Sequence, residues 1–124
     1  MTRTVLLVDD EKHVVNVVGH MLEQRDFKVT SASSGEQALS LLENFTPDLA
    51  LLDIILPGID GATLAQRLRE DPRTENIPIV FLTGLIEADE IHRGGHQIGG
   101  RYFLAKPFDS TELFEVIERA LSGN

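Results

Sequence analysis

Several polar side chains in this sequence share one kind of position, directly after a run of apolar residues. Asp9 and Asp10 follow Thr4–Val8 (TVLLV), and Asp53 follows Leu49–Leu52 (LALL). Thr83 follows Ile77–Leu82 (IPIVFL), and Lys106 follows Tyr102–Ala105 (YFLA). If these residues meet, their chemistry is definite. Clustered carboxylates repel one another, and at least one pKa rises unless a cation sits among them. A hard divalent ion resolves the repulsion, and magnesium suits an open site of carboxylates because it takes oxygen ligands and keeps several waters. Beside such an ion, a lysine supplies counter-charge and a threonine a hydrogen bond, which is what a phosphoryl group needs. A carboxylate can also be the nucleophile, becoming an aspartyl phosphate. The protein then contributes mainly positioning and electrostatics. Taken singly, each residue has an ordinary explanation: loop aspartates are mostly solvated and Asp often caps a helix. Recurrence at the end of one apolar run after another carries the reading.

The elements that must position these residues can be read from periodicity. The runs named above are strands, and Asp53 lies in the stretch LALLDIILPGIDG (Leu49–Gly61), whose continuous apolar character is that of a buried parallel strand. Phe27–Thr30 alternates as an edge strand would, with small residues following it. Val14, Val17, Val18, Met21 and Leu22 predict a helix over about Lys12–Arg25. Ser34 is placed to cap a second helix carrying Ala38, Leu39, Leu41, Leu42 and Phe45. Asp60 is placed to cap a third, whose core face is Ala62, Leu64, Ala65 and Leu68. Leu85–Gly100 reads as a short or frayed helix because of its Gly94-Gly95 and Gly99-Gly100 pairs. Asp109 or Ser110 caps the last helix, with Leu113, Val116, Ile117, Ala120 and Leu121 in one stripe. Alternating strands and helices imply an α/β fold: a parallel sheet covered on both faces with right-handed crossovers. In such sheets the ligand crevice lies beyond the carboxyl ends of the strands, which is where the polar residues gather.

Composition sets outer bounds. The chain has 124 residues, and residues 1–124 are expected to form a single domain around one core. It has no cysteine, which excludes disulfides, thiol chemistry and thiolate zinc sites and is compatible with a reducing cytosol. A net charge of −9 argues against a phosphate-backbone footprint, so no direct nucleic-acid contact is expected, and basic partner surfaces or cations are. No apolar run reaches the length of a membrane span.

With these residues in view, the sequence resembles the receiver domains of two-component response regulators, the family of the single-domain chemotaxis regulator. The resemblance covers essentially the whole chain and rests on LLVDDE (Leu6–Glu11), DIILPGIDG (Asp53–Gly61), FLTG (Phe81–Gly84) and FLAKPF (Phe103–Phe108). It implies a flavodoxin-like three-layer fold with a five-stranded parallel sheet in the order 2-1-3-4-5. It implies a cytoplasmic protein in which Asp53 accepts a phosphoryl group from a sensor histidine kinase or a histidine phosphotransfer protein. Magnesium would be held by Asp9 or Asp10, Asp53 and the backbone carbonyl of Ile55, with Asp10 the favoured direct ligand. Lys106 would pair with the phosphoryl oxygens and Lys106-Pro107 would be cis. Thr83 and Phe103 would be the switch, biasing a face made by the fourth helix, the fifth strand and the last helix toward a downstream protein target or a fused output domain.

This chain also departs from the family pattern. Gly84 stands where alanine is common, and Phe103 replaces the commoner tyrosine. Glu112, Glu115 and Glu118 make the last helix acidic, which argues against the charge-paired dimers of transcription-factor receivers. Ile55 and Leu85, two positions after Asp53 and Thr83, are both apolar and would exclude attacking water, slowing self-dephosphorylation. Other readings are weaker. An aspartyl-phosphate phosphatase needs a second acid beside its nucleophile, and Ile54 and Ile55 stand there. A flavin carrier wants a hydroxyl- and glycine-rich loop where Asp9-Asp10-Glu11 stands, and a non-phosphorylated scaffold has no use for Asp53, Thr83 and Lys106 together. His92 and His96 have zinc-like spacing but lack a third ligand. The expected protein is a phosphoacceptor switch rather than an enzyme.

Overall fold

In the computed structural model, residues 2–84, 97–98 and 101–123 are described. The strands are β1 (Thr4–Val8), β2 (Lys28–Ala32), β3 (Leu49–Asp53), β4 (Ile79–Thr83), β5 (Gln97–Ile98) and β6 (Arg101–Ala105). The helices are α1 (Lys12–Gln24), α2 (Gly35–Leu41), α3 (Gly61–Glu70) and α4 (Ser110–Ser122). The sheet order is β2-β1-β3-β4-β6-β5. The first five in that order run parallel and reproduce the expected 2-1-3-4-5 arrangement. The short β5, which periodicity did not foresee, adds antiparallel to β6 at the edge. Of the short or frayed helix expected over Leu85–Gly100, Gln97–Ile98 form β5 instead, and the rest, with Leu85 and the His92/His96 pair, falls on 85–96 and 99–100, outside the described residues.

Strand periodicity divides the core into two layers. Side chains alternate across a strand with a period of two. Val5, Leu7, Leu49, Leu51, Val80, Leu82 and Leu104 therefore face one way, against Val18 and Leu22 of α1 and Leu113, Phe114, Val116, Ile117 and Ala120 of α4. Leu6, Val8, Ala50, Leu52, Ile79 and Phe81 face the other, against Ala38 and Leu42 of the α2 region and Leu64 and Leu68 of α3. Leu51 and Leu52 are both fully buried, one in each layer. Burying a leucine contributes roughly 1.5–3 kcal/mol, so a central strand apolar on both faces is strongly held. No helix among the described residues is long and apolar enough to cross a membrane.

Each expected cap is present. Ser34 accepts from the Gln37 amide, Asp60 from the Thr63 amide and Asp109 from the Glu112 amide, so Asp109 rather than Ser110 caps α4. The corrections are local and have identifiable causes. Strand β2 begins at Lys28 rather than Phe27 because the Phe27 amide bonds back to the Leu22 carbonyl after a turn with Asp26 at φ 66°. Strand β4 begins at Ile79 rather than Ile77 because the Arg69 guanidinium takes the Glu75 and Ile77 carbonyls, at 3.0 and 2.7 Å. Ala62 is exposed, since the buried stripe of α3 is Gly61, Leu64 and Leu68. Gly61 is seated so closely on β3 that a Cβ would stand 2.2 Å from the Asp53 carbonyl oxygen.

Candidate functional site

The strand register brings the polar residues to one level. Val8 is opposite Leu52 and Ala32, so Asp9 emerges beside Asp53. Asp53 is opposite Leu82, and Thr83 is opposite Ala105, which puts Lys106 one residue beyond Thr83. Backbone hydrogen bonds continue past the strand ends and hold the exits: Asp9 N to Ala32 O, Ile54 N to Leu82 O and Lys106 N to Thr83 O, at 3.1, 3.2 and 2.9 Å. Main-chain pairing thus sets the height of each functional residue before any side-chain contact is considered.

Lys106 joins the carboxylates. Its Nζ lies 2.8 Å from Asp9 Oδ2, 3.2 Å from Asp53 Oδ2 and 3.3 Å from Glu11 Oε1. The other carboxylate oxygens are also held. Asp53 Oδ1 accepts from the Ile55 amide at 3.1 Å and Asp9 Oδ1 from the Glu11 amide at 2.9 Å. Asp9, Asp53 and Thr83 are buried, whereas Asp10 is exposed at the mouth. Even so, Asp9, Asp10 and Asp53 each offer an oxygen within 4.8 Å of the others. The Lys106-Pro107 bond is cis, as the resemblance implied.

Burial is the first influence on both charged partners. It pushes the Asp53 carboxyl up; the Lys106 hydrogen bond draws it down and the neighbouring Asp9 charge pushes it up again, leaving it above the ordinary carboxylate value. For Lys106 burial disfavours the ammonium, but hydrogen bonds to Asp9 and Asp53 outweigh it and hold the pKa above the usual lysine range. The lysine therefore stays charged, and the carboxylates remain in excess over it. This donor set fits a hard divalent cation: several hard oxygens converge, and the exposed Asp10 side leaves room for retained waters.

Of the residues singled out from sequence, Asp9, Asp53 and Lys106 touch, Asp10 stands beside them and Thr83 is buried at the same strand level. The Ile55 side chain, 60% exposed, lies outside the core next to this cluster. Phe103 is opposite Phe81 in the register, half-buried, with ring centroids 5.5 Å apart. Glu11 was missed. It follows the Asp-Asp pair directly, and its carboxylate shares the lysine.

Comparison with known proteins agrees with this geometry. The family described as "Response regulator receiver domain" matches residues 5–118. The chain belongs to the response regulator receiver family. It is 40% identical over 121 residues to the response regulator Rre1 of Synechocystis, covering 96% of this chain and 52% of that protein. The chain thus spans about half the length of that curated relative, and 25% of the Caulobacter vibrioides response regulator PleD, to which it is 36% identical over 92% of its own length. A response regulator structure from Chloroflexus aurantiacus superposes with a TM-score of 0.84 at 35% identity, covering 98% of this chain and 99% of that one. The receiver domain of the Pseudomonas aeruginosa sensor histidine kinase PA1611 superposes with a TM-score of 0.81 at 28% identity, covering 98% and 99%. That structure carries a magnesium ion coordinated in its active-site cleft. Receiver domains are signalling switches of two-component systems, and this receiver domain has the fold and the acidic cleft of its family.

Proposed function

We propose that this receiver domain accepts a phosphoryl group on Asp53 from a phosphohistidine of a sensor kinase or a histidine phosphotransfer protein. The single observation that carries the reading is the contact of Lys106 with both Asp9 and Asp53 at the carboxyl edge of the sheet. In the transfer, an Asp53 carboxylate oxygen forms a bond to phosphorus as the phosphorus–nitrogen bond breaks, and the departing imidazole nitrogen takes up a proton. Hydrogen bonds from Ile55 N and Lys106 orient the carboxylate for in-line approach. Lys106 then shifts from carboxylate to phosphoryl oxygens, where its retained charge offsets the added negative charge. Thr83 donates its hydroxyl to the same group, and Phe103 repacks behind it, so that a local charge change biases a two-state element. Magnesium would be held by Asp9, Asp10, Asp53 and the Ile55 carbonyl, and would supply charge neutralisation between the carboxylates and the incoming phosphoryl group. The readout is a protein partner, either a separate target or an output domain of a longer chain.

The test is direct. Incubation with magnesium and acetyl phosphate followed by intact mass measurement is expected to show one added phosphoryl group, absent in Asp53→Asn and without magnesium. Rapid turnover of phosphate esters would instead indicate a phosphatase. No adduct with acetyl phosphate or a phosphohistidine donor would indicate a scaffold.

A further inference from the structure

The loop joining β3 to α3 carries Ile55, and it is held from outside its own strand–helix unit. Its base is closed locally, by Gly61 N donating to the Ile54 carbonyl at 2.8 Å and by Ile55 N donating to Asp53 Oδ1. Its tip is reached by Glu36, from the first turn of α2. Glu36 Oε2 accepts a hydrogen bond from the Ile59 amide at 3.3 Å. The same carboxylate lies over Gly58, where an added Cβ would stand 2.3 Å from Oε2 and 2.9 Å from Oε1. Gly58 has φ 73°, so the turn that turns Ile59 toward Glu36 also requires glycine. Alongside, Gly35 sits on Ile59: a Cβ at Gly35 would come 3.0 Å from the Ile59 carbonyl oxygen and 3.1 Å from its Cβ. Glycine on each side of the contact therefore lets the start of α2 close onto the loop tip.

The start of α2 is itself well fixed. Ser34 Oγ accepts from the Gln37 amide at 3.1 Å, and Gln37 Oε1 accepts from Ser33 N and Ser33 Oγ at 2.7 and 3.0 Å. Glu36 thus projects from a braced turn onto the tip of a loop whose base is held by Ile54 N on the Leu82 carbonyl and by the buried Leu56. We propose that Glu36 is a positioning residue: by clamping the Gly58–Ile59 tip it holds the Ile55 amide and carbonyl in place beside Asp53 and thereby sets the site's affinity for magnesium. This inference rests on the reading of the Asp53 site given above. What acts is the hydrogen-bond acceptor and its placement, not the negative charge, because the clamp consists of one accepted hydrogen bond and close packing on glycine.

The distinction makes the idea testable with Glu36→Ala and Glu36→Gln in the full chain. Magnesium affinity is measured by calorimetric titration and backbone mobility by amide hydrogen exchange at Ile55 and Ile59. Losing one hydrogen bond of ordinary strength is expected to weaken magnesium binding about three- to tenfold in Glu36→Ala and to speed exchange at both amides. Glu36→Gln keeps an acceptor oxygen and is expected to stay within about twofold of wild type. Equal weakening in the two variants would assign the effect to lost charge and overturn the clamp. So would a Glu36→Ala protein that binds magnesium like wild type, even with a lowered melting temperature, since that is the mark of a merely structural residue. A wild-type chain that takes no magnesium would overturn the metal-site reading instead. In that event the clamp stands if exchange speeds up in Glu36→Ala and not in Glu36→Gln, and falls if exchange is unchanged.

Discussion

Replacing the proposed phosphoacceptor by its uncharged isostere, Asp53→Asn, is expected to stabilise the fold while abolishing phosphorylation. At an effective dielectric of about 20, Asp53 at 4.8 Å or less from both Asp9 and Asp10 is repelled by roughly 3.5 kcal/mol from each. Attraction to Lys106 at 3.2 Å returns about 5 kcal/mol. The balance is unfavourable by about 2 kcal/mol before the cost of burying the carboxylate. The open Asp10 side and the partly exposed lysine screen both terms, so a net gain of about 1–2 kcal/mol is expected for the asparagine, whose amide retains the shape and the Ile55 contact. For a chain of this size that corresponds to a melting temperature higher by roughly 4–8 °C. The assay is thermal and urea unfolding of both proteins in chelator at neutral pH. The pH dependence provides a second check. Burial and the Asp9 charge raise the folded-state pKa of Asp53 above its ordinary 3.8. A group raised on folding contributes stability below its unfolded pKa and loses it as pH rises through the folded value. The wild-type penalty therefore grows as pH rises through the folded value, and the gap between the proteins should close as pH falls toward that ordinary value. Magnesium should also narrow the gap by stabilising the wild type more. A variant equal to or less stable than wild type at neutral pH, or a gap that widens on acidification, would refute the electrostatic account.

Two further outcomes follow from other parts of the structure. Ile55→Ala is expected to shorten the lifetime of the acyl phosphate several-fold by opening the approach to water, read as phosphate release after acetyl phosphate is removed; an unchanged or longer lifetime would count against water exclusion by Ile55. Gly19→Ala is expected to stabilise the chain by about 0.5–1 kcal/mol, because Gly19 lies inside α1 and an added Cβ meets nothing within 4 Å. A lowered urea midpoint would mean that the helix is closer to a neighbour than this geometry allows.

Much of this protein was legible in the chain itself. The apolar runs ending at Asp9, Asp53, Thr83 and Lys106 identified strands with polar exits, because burial on both faces demands continuous apolar sequence and desolvated charge demands a partner. Ser34, Asp60 and Asp109 were readable as caps because a cap acts on an amide only three residues away. Local physics of this kind is written locally. What only the tertiary structure decided involves residues far apart in sequence. Lys106 reaches Asp9 across 97 positions, and Glu36 reaches Ile59 across 23. Neither distance is encoded in a period or a spacing; both arise from how parallel strands register and how helices settle on the sheet. The same applies to Arg69, whose hold on the Glu75 and Ile77 carbonyls moved the start of β4, and to Ala62, turned outward when Gly61 seated on Asp53. The sequence alone determined which chemistry is available and at which end of the sheet. Three-dimensional packing decided which oxygens the lysine holds, how deeply Asp53 is buried and what steadies the loop beside it, because burial and charge–charge distances exist only once the strands are side by side.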